Sequence, residues 1–319
     1  MKKSLPVLGI FSIVILAFIF IYLLIPNIVT TSRDTDVRVN QQGLFRSLVQ
    51  ETQWGKWWPG TVLETANGIK PRFFYHGFEY SITEKKISSF LIDVRDSSGD
   101  FSAKTSLNLF PLNPDSVKME WAKSSVTSYN PVKRVALFRQ SKKLDNDFAK
   151  ILAEIHAYFS KTENVYGYRI HEDLVTDSLL AYNFATVTNY PTNQFIYGLL
   201  DEVKAHIDRE SAQVTGIPML NISTTDSIHF LTRVAIPVNK RVSPSGNIAY
   251  KWMMGGGKIL VADVTGGPAT VNDALQKIKN YADDHQRVAM AIPFQSLVTN
   301  RLEVTDTAKW VTRIFYPVK

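Results

Sequence analysis

The sequence predicts an α+β protein in three parts: an N-terminal transmembrane helix, an antiparallel sheet closed by one long helix, and a duplicated βαββ unit with pseudo-twofold symmetry. Three features point there. Residues 6–25 contain no charged side chain. From 101 to 121 the apolar residues alternate with period two, and from 144 to 159 they shift to helical spacing. In the last third, Thr-Arg-Val-Ala-Ile-Pro-Val at 232–238 is echoed by Thr-Arg-Ile-Phe-Tyr-Pro-Val at 312–318. Such self-similarity is the mark of a duplicated supersecondary unit.

Length and charge narrow the function. The chain has 319 residues, 45% of them hydrophobic, which is enough for two domains with their own cores. Its net charge of +7 contains no basic block dense enough for a nucleic-acid footprint, so no nucleic-acid partner is expected. Without cysteine there is no disulfide, thiolate nucleophile or cysteine-ligated metal. His76, His156, His206, His229 and His285 are scattered and form no pair with metal-ligand spacing. No metal or cofactor is therefore expected. His171, Glu172 and Asp173 are adjacent, and neighbouring side chains on an extended segment diverge, so residues 164–176 read as a solvated connector.

The uncharged run at 6–25 is long enough, at about 1.5 Å per residue, to cross a hydrocarbon core of about 30 Å. Lys2 and Lys3 precede it, which by the positive-inside rule holds the N-terminus in the cytoplasm. No Ala-x-Ala-like cleavage site follows Leu24. The expectation is an uncleaved single-pass anchor over residues 1–30 in the cell membrane, with the remaining domains extracytoplasmic.

Residues 35–165 read as the first domain. A short strand at 35–39 and a helix at 43–51 lead into Trp54, Trp57, Trp58 and Pro59. This aromatic run serves either as a pocket wall or as core. Phe101, Ala103, Thr105, Leu107 and Leu109 alternate with mostly polar neighbours, as do Val117, Met119 and Trp121, the pattern of antiparallel strands with one wet face. On the closing helix, Leu144, Phe148, Ile151, Leu152, Ile155 and Phe159 share a face, with Asp147, Lys150 and Glu154 turned away. With the Trp run after the first strand and this C-terminal helix, the domain resembles the START-like (SRPBCC, polyketide cyclase and lipid-transport) superfamily. That resemblance implies a helix-grip fold, in which the helix closes over a curved sheet and leaves an apolar cavity.

Residues 175–319 read as the second domain, with repeats at 178–238 and 257–318. Each repeat has a strand, a turn (Tyr190-Pro191, Gly267-Pro268), an amphipathic helix, an Ile-Pro strand start (Ile217-Pro218, Ile292-Pro293) and the Thr-Arg ending. Thr192 is the expected cap of the first helix, and Thr270, with Asp273 three residues on, that of the second. Gly255-Gly256-Gly257-Lys258, Gly266-Gly267-Pro268 and the closing Trp310 to Val318 make the domain similar to the GyrI-like effector-binding domain of AraC-type and MerR-type regulators. The resemblance implies a pseudo-twofold pair of βαββ units with a ligand cleft at their junction.

One departure bears on the ligand. Relatives that bind cationic drugs carry Glu in the final strand, in a Thr-Glu-x-x-x-Pro pattern, where this chain has Arg313. An arginine there suits an anion in bidentate contact and cannot serve as the acid or base of hydrolytic relatives. Arg313, Arg233, Tyr190, Tyr250, Trp252 and Tyr316 are the candidate ligand contacts, and residues 241–257 a candidate flap. No nucleophile-base motif is present. The sequence thus favours a binding or sensing protein for an apolar or amphipathic small molecule, including an anionic one. The alternatives are a hydrolase or cyclase acting on a small apolar substrate, and lipid binding at the membrane surface.

Overall fold

The computed structural model describes residues 13, 15–16, 18–63, 71–99, 101–176, 178–224, 226 and 228–319, and it is a mixed structure of helices and antiparallel sheets. The chain divides into two units, Met1–Lys161 and Thr162–Lys319.

In the first unit, β1 (Ile28–Val37) is followed by α1 (Gln41–Val49), β2 (Thr61–Leu63), β3 (Arg72–Tyr75), β4 (Phe78–Lys86), β5 (Ser89–Asp96), β6 (Ser102–Asn113) and β7 (Ser116–Val126). The strands form one antiparallel sheet in the order β1-β7-β6-β5-β4-β3-β2. The predicted alternation holds on β6 and β7, where Leu107, Val117, Met119 and Trp121 are fully buried. Helix α2 (Pro131–Phe159) is far longer than its apolar stripe. It begins where Asn130 accepts hydrogen bonds from the Val132 and Lys133 amides and Pro131 takes the first helical position, whose amide would have no partner.

The Trp run fills core. Trp54, Trp57 and Trp58 are buried and pack on one another, on Phe73, Tyr80 and Phe159, with centroids 4.8–6.0 Å apart. Trp58 Nε1 donates to the Phe74 carbonyl at 3.1 Å. The same carbonyl oxygen lies 1.8 Å from where a Cβ on Gly60 would sit. Gly60→Ala is therefore expected to force β2 off β3 and cost about 2 kcal/mol or more, read as a lowered midpoint in urea. An unchanged midpoint would mean the backbone yields freely.

Asp147 departs from its predicted outward orientation. It lies three residues after Leu144, at the edge of the apolar stripe, and is 1% exposed. His76 Nδ1, on the hairpin turn between β3 and β4, is 2.8 Å from Asp147 Oδ1, and the Tyr80 hydroxyl donates to Oδ2 at 3.3 Å. Burial raises the Asp147 carboxyl above the ordinary carboxylate range, against the opposing effect of these two hydrogen bonds. As pH rises above about 3.9 the unfolded chain releases this proton before the folded one, so folding stability falls across the interval. Asp147→Asn should flatten that slope in urea unfolding measured upward from about pH 4; a slope equal to wild type would contradict the shift.

The expected single-pass anchor is overturned. Among the described residues no helix is long and apolar enough to cross a membrane. Residues 6–12, 14 and 17 of the predicted span lie outside the described ones. The extracytoplasmic placement rested on that span and falls with it. The described end of the segment, helical at 18–24, packs on the start of α2: the Arg134 guanidinium sits 4.7 Å from the Tyr22 ring centroid and donates to the Ile25 carbonyl.

In the second unit, a short helix (Thr162–Tyr166) precedes β8 (His171–Leu174), β9 (Ser178–Val187), α3 (Asn193–Arg209), β10 (Met219–Thr224), β11 (Phe230–Val238), β12 (Ala249–Met253), β13 (Lys258–Thr265), α4 (Pro268–Asp284), β14 (Phe294–Leu297) and β15 (Val311–Val318). The sheet order is β12-β9-β11-β10-β14-β15-β13-β8, two mirrored triplets joined through β10 and β14 with one extra strand at each edge. Thr192 caps α3 as predicted, accepting from the Phe195 amide at 3.2 Å. Thr270 does not cap α4: Gly267 holds that position and Pro268 starts the helix, placing Thr270 inside it. The presumed connector at 164–176 contributes β8, which pairs with β13, and Glu172 on it reaches Lys258 at 2.8 Å and Arg287 at 3.4 Å. The presumed flap at 241–257 contains β12, paired along β9.

Candidate functional site

Period-two alternation divides the eight-stranded sheet into two faces. Ala181, Leu220, Val234 and Ile236 lie beneath α3, and Leu260, Ala262, Ile314 and Tyr316 beneath α4. The residues between them turn to the face without helices. There Leu180, Tyr182, Phe184, Met219, Asn221, Arg233, Ala235, Ile259, Phe294 and Pro317, drawn from both repeats, line a cavity of about 1200 Å³. Trp252, Met253 and Met254 form a wall from β12 onward, and Arg287, Met290 and Ile292 one from the segment after α4. Met219, Met253, Met254 and Met290, four of the chain's six methionines, meet here. The charged lining is Arg233, Lys251, Lys258, Arg287 and Lys319; no acidic side chain among the described residues lines it.

Of the six predicted contacts, the cavity brings together Arg233 and Trp252. Tyr250, two residues before Trp252 on β12, is not part of the lining and lies 5.1 Å from the Arg241 guanidinium. Tyr190, ahead of α3, packs edge-on against Phe230 at 5.7 Å. Tyr316 is 8% exposed, in the core under α4, because its strand position has the parity of Ile314. Arg313 has the parity of the open face but is held by Asp263, with Nε and Nη2 donating at 2.6 and 2.9 Å. The hydrogen bonds and charge of Arg313 keep the Asp263 carboxyl below the usual range. Arg313 is 45% exposed, outside the cavity lining.

Tyr182, Phe184 and the methionines were not singled out from the sequence. The alternation Leu180, Tyr182, Phe184 against Ala181, Asn183, Ala185 marks two unlike faces on β9, and was the available signal. Another unforeseen cation is Arg301, 7% exposed, whose guanidinium donates to Thr312 Oγ1 at 2.8 Å and lies 5.1 Å from the Trp310 ring. Burial lowers its pKa from the usual arginine value. It lies apart from the cavity lining.

Neither a protein-family model nor a curated protein matches this chain. Solved structures do. The C-terminal domain of EcmrR is 14% identical over 48% of this chain and 98% of its own, with a TM-score of 0.41. The di-domain aromatase/cyclase BexL of the BE-7585A biosynthetic pathway is 10% identical over 91% of this chain and 84% of its own, TM-score 0.35. The ZhuI aromatase/cyclase of Streptomyces sp. R1128 is 8% identical over 40% of this chain and 93% of its own, TM-score 0.30. What the site can do follows from the residues of this chain.

Proposed function

We propose that the chain is a small-molecule-binding protein, with a START-like helix-grip domain at 35–165 and a GyrI-like effector-binding domain at 175–319, and that its ligand occupies the open-face cavity of the latter. One observation supports this above the rest: both βαββ repeats contribute aromatic, methionine and aliphatic side chains to a single cavity of about 1200 Å³. That volume takes a drug-sized molecule, and an apolar lining with few polar groups is the usual composition of a ligand site. Unbranched methionines adapt to more than one shape, so a family of apolar or amphipathic compounds fits better than one rigid substrate. Among the described residues the lining offers neither a carboxylate nor a histidine as general acid or base, which favours binding over turnover.

Isothermal titration calorimetry of the full chain with 1-anilinonaphthalene, a neutral aromatic probe, tests this. Saturable micromolar binding that Ala235→Trp abolishes is expected. Absent binding, or binding indifferent to that substitution, would overturn the assignment.

A further inference from the structure

We infer that Arg233 is the anion-recognising residue of the cavity, and that the ligand class is an amphipathic anion: a carboxylate or sulfonate on an apolar body. This rests on the cavity being the ligand site, and it deepens that reading by fixing the ligand's charge and the residue that meets it.

The duplication itself isolates Arg233. In the second repeat Arg313 sits across from Asp263 on the neighbouring strand β13 and is held by both carboxylate oxygens. In the first repeat Arg233 occupies the matching position on β11, and the residue across from it on β9 is Phe184. The carboxylate that neutralises one arginine is thus a phenyl ring beside the other. What holds Arg233 is neutral: Nη1 donates to Asn221 Oδ1 at 2.9 Å and to Ser223 Oγ at 3.0 Å. Asn221 is itself oriented, because its Nδ2 donates to the Pro293 carbonyl at 2.8 Å and so leaves Oδ1 turned to the arginine. The guanidinium is fixed by one nitrogen, half-buried, on the cavity lining, and no carboxylate bonds it among the described residues.

A cation partly withdrawn from water is poorly compensated by neutral acceptors alone, and a planar guanidinium matches a carboxylate or sulfonate geometrically. The surroundings reinforce the sign. Lys251, Lys258, Arg287 and Lys319 share the lining, and Glu172 is divided between Lys258 and Arg287. A cationic ligand would meet repulsion throughout. Arg301, more deeply buried, is no rival, since it lies outside the lining and stacks on Trp310.

The test compares 1-anilinonaphthalene with its 8-sulfonate, one ring system with and without an anion, by calorimetry on the full chain. Wild type should bind the sulfonate about tenfold or more tighter. Arg233→Gln should erase that preference, so that this variant binds the two probes with equal affinity. Phe184→Asp, which gives Arg233 the counter-ion its sister has, should erase it too; this half-exposed site keeps the test open should Arg233→Gln fold poorly. Equal affinity of both probes for wild type overturns the anion assignment while leaving the cavity reading intact. A preference that survives both substitutions overturns the role of Arg233. If neither probe binds, the cavity reading falls and this inference with it.

Discussion

Trp121→Ala is expected to destabilise the first unit by about 3–5 kcal/mol, enough to unfold a large fraction of a marginally stable domain at physiological temperature. Trp121 is fully buried on β7. Its ring stacks on Phe148 of α2, centroids 4.8 Å apart and planes 9° from parallel, and meets Tyr80 edge-on at 6.0 Å. It therefore forms an aromatic bridge between β7 and the closing helix. Its Nε1 donates to Thr105 Oγ1 at 2.9 Å, and Thr105 donates onward to the Ile92 carbonyl at 2.8 Å. Alanine would leave a void walled by rings too rigid to collapse into it, whereas Trp121→Phe should retain most of the packing and lose about 1 kcal/mol with the hydrogen bond. Urea unfolding of both variants separates the two contributions. A loss below about 1.5 kcal/mol for the alanine would show that α2 moves in to close the gap.

What could be read from the sequence was whatever is written locally. Alternation on β6 and β7, the helical stripe from Leu144 and the Thr192 cap all depend on residues within a turn or two of each other, and the structure has them. The early start of α2 was written just as locally, in the Asn130-Pro131 pair, but no apolar stripe accompanied it there. The inward turn of Asp147 was not legible, because its partner His76 lies 71 residues away on a hairpin turn. The same holds at the site. The repeated arginines were visible, but which of them carries a counter-ion depends on strands β9 and β13, so Asp263 and Phe184 acquire their meaning only once the register is known. Tyr316 illustrates the remaining difficulty: with the period right and the face wrong, a core tyrosine looks like a ligand contact.

Ala235→Trp should lower the affinity for 1-anilinonaphthalene at least about 30-fold while changing folding stability by no more than about 1 kcal/mol. Ala235 sits on β11 between Tyr182 of β9 and Met219 of β10, and all three line the cavity. An indole there projects into open space, so it competes with the ligand without displacing protein atoms. Ala181, beside it on β9, has the opposite parity and is fully buried beneath α3. Ala181→Trp must displace packed side chains and is expected to cost about 3 kcal/mol or more. The pair makes one exchange on two faces of one sheet, with binding lost on one and stability on the other. Loss of stability at 235, or affinity left intact there, would mean that the face free of helices is not where the ligand lies.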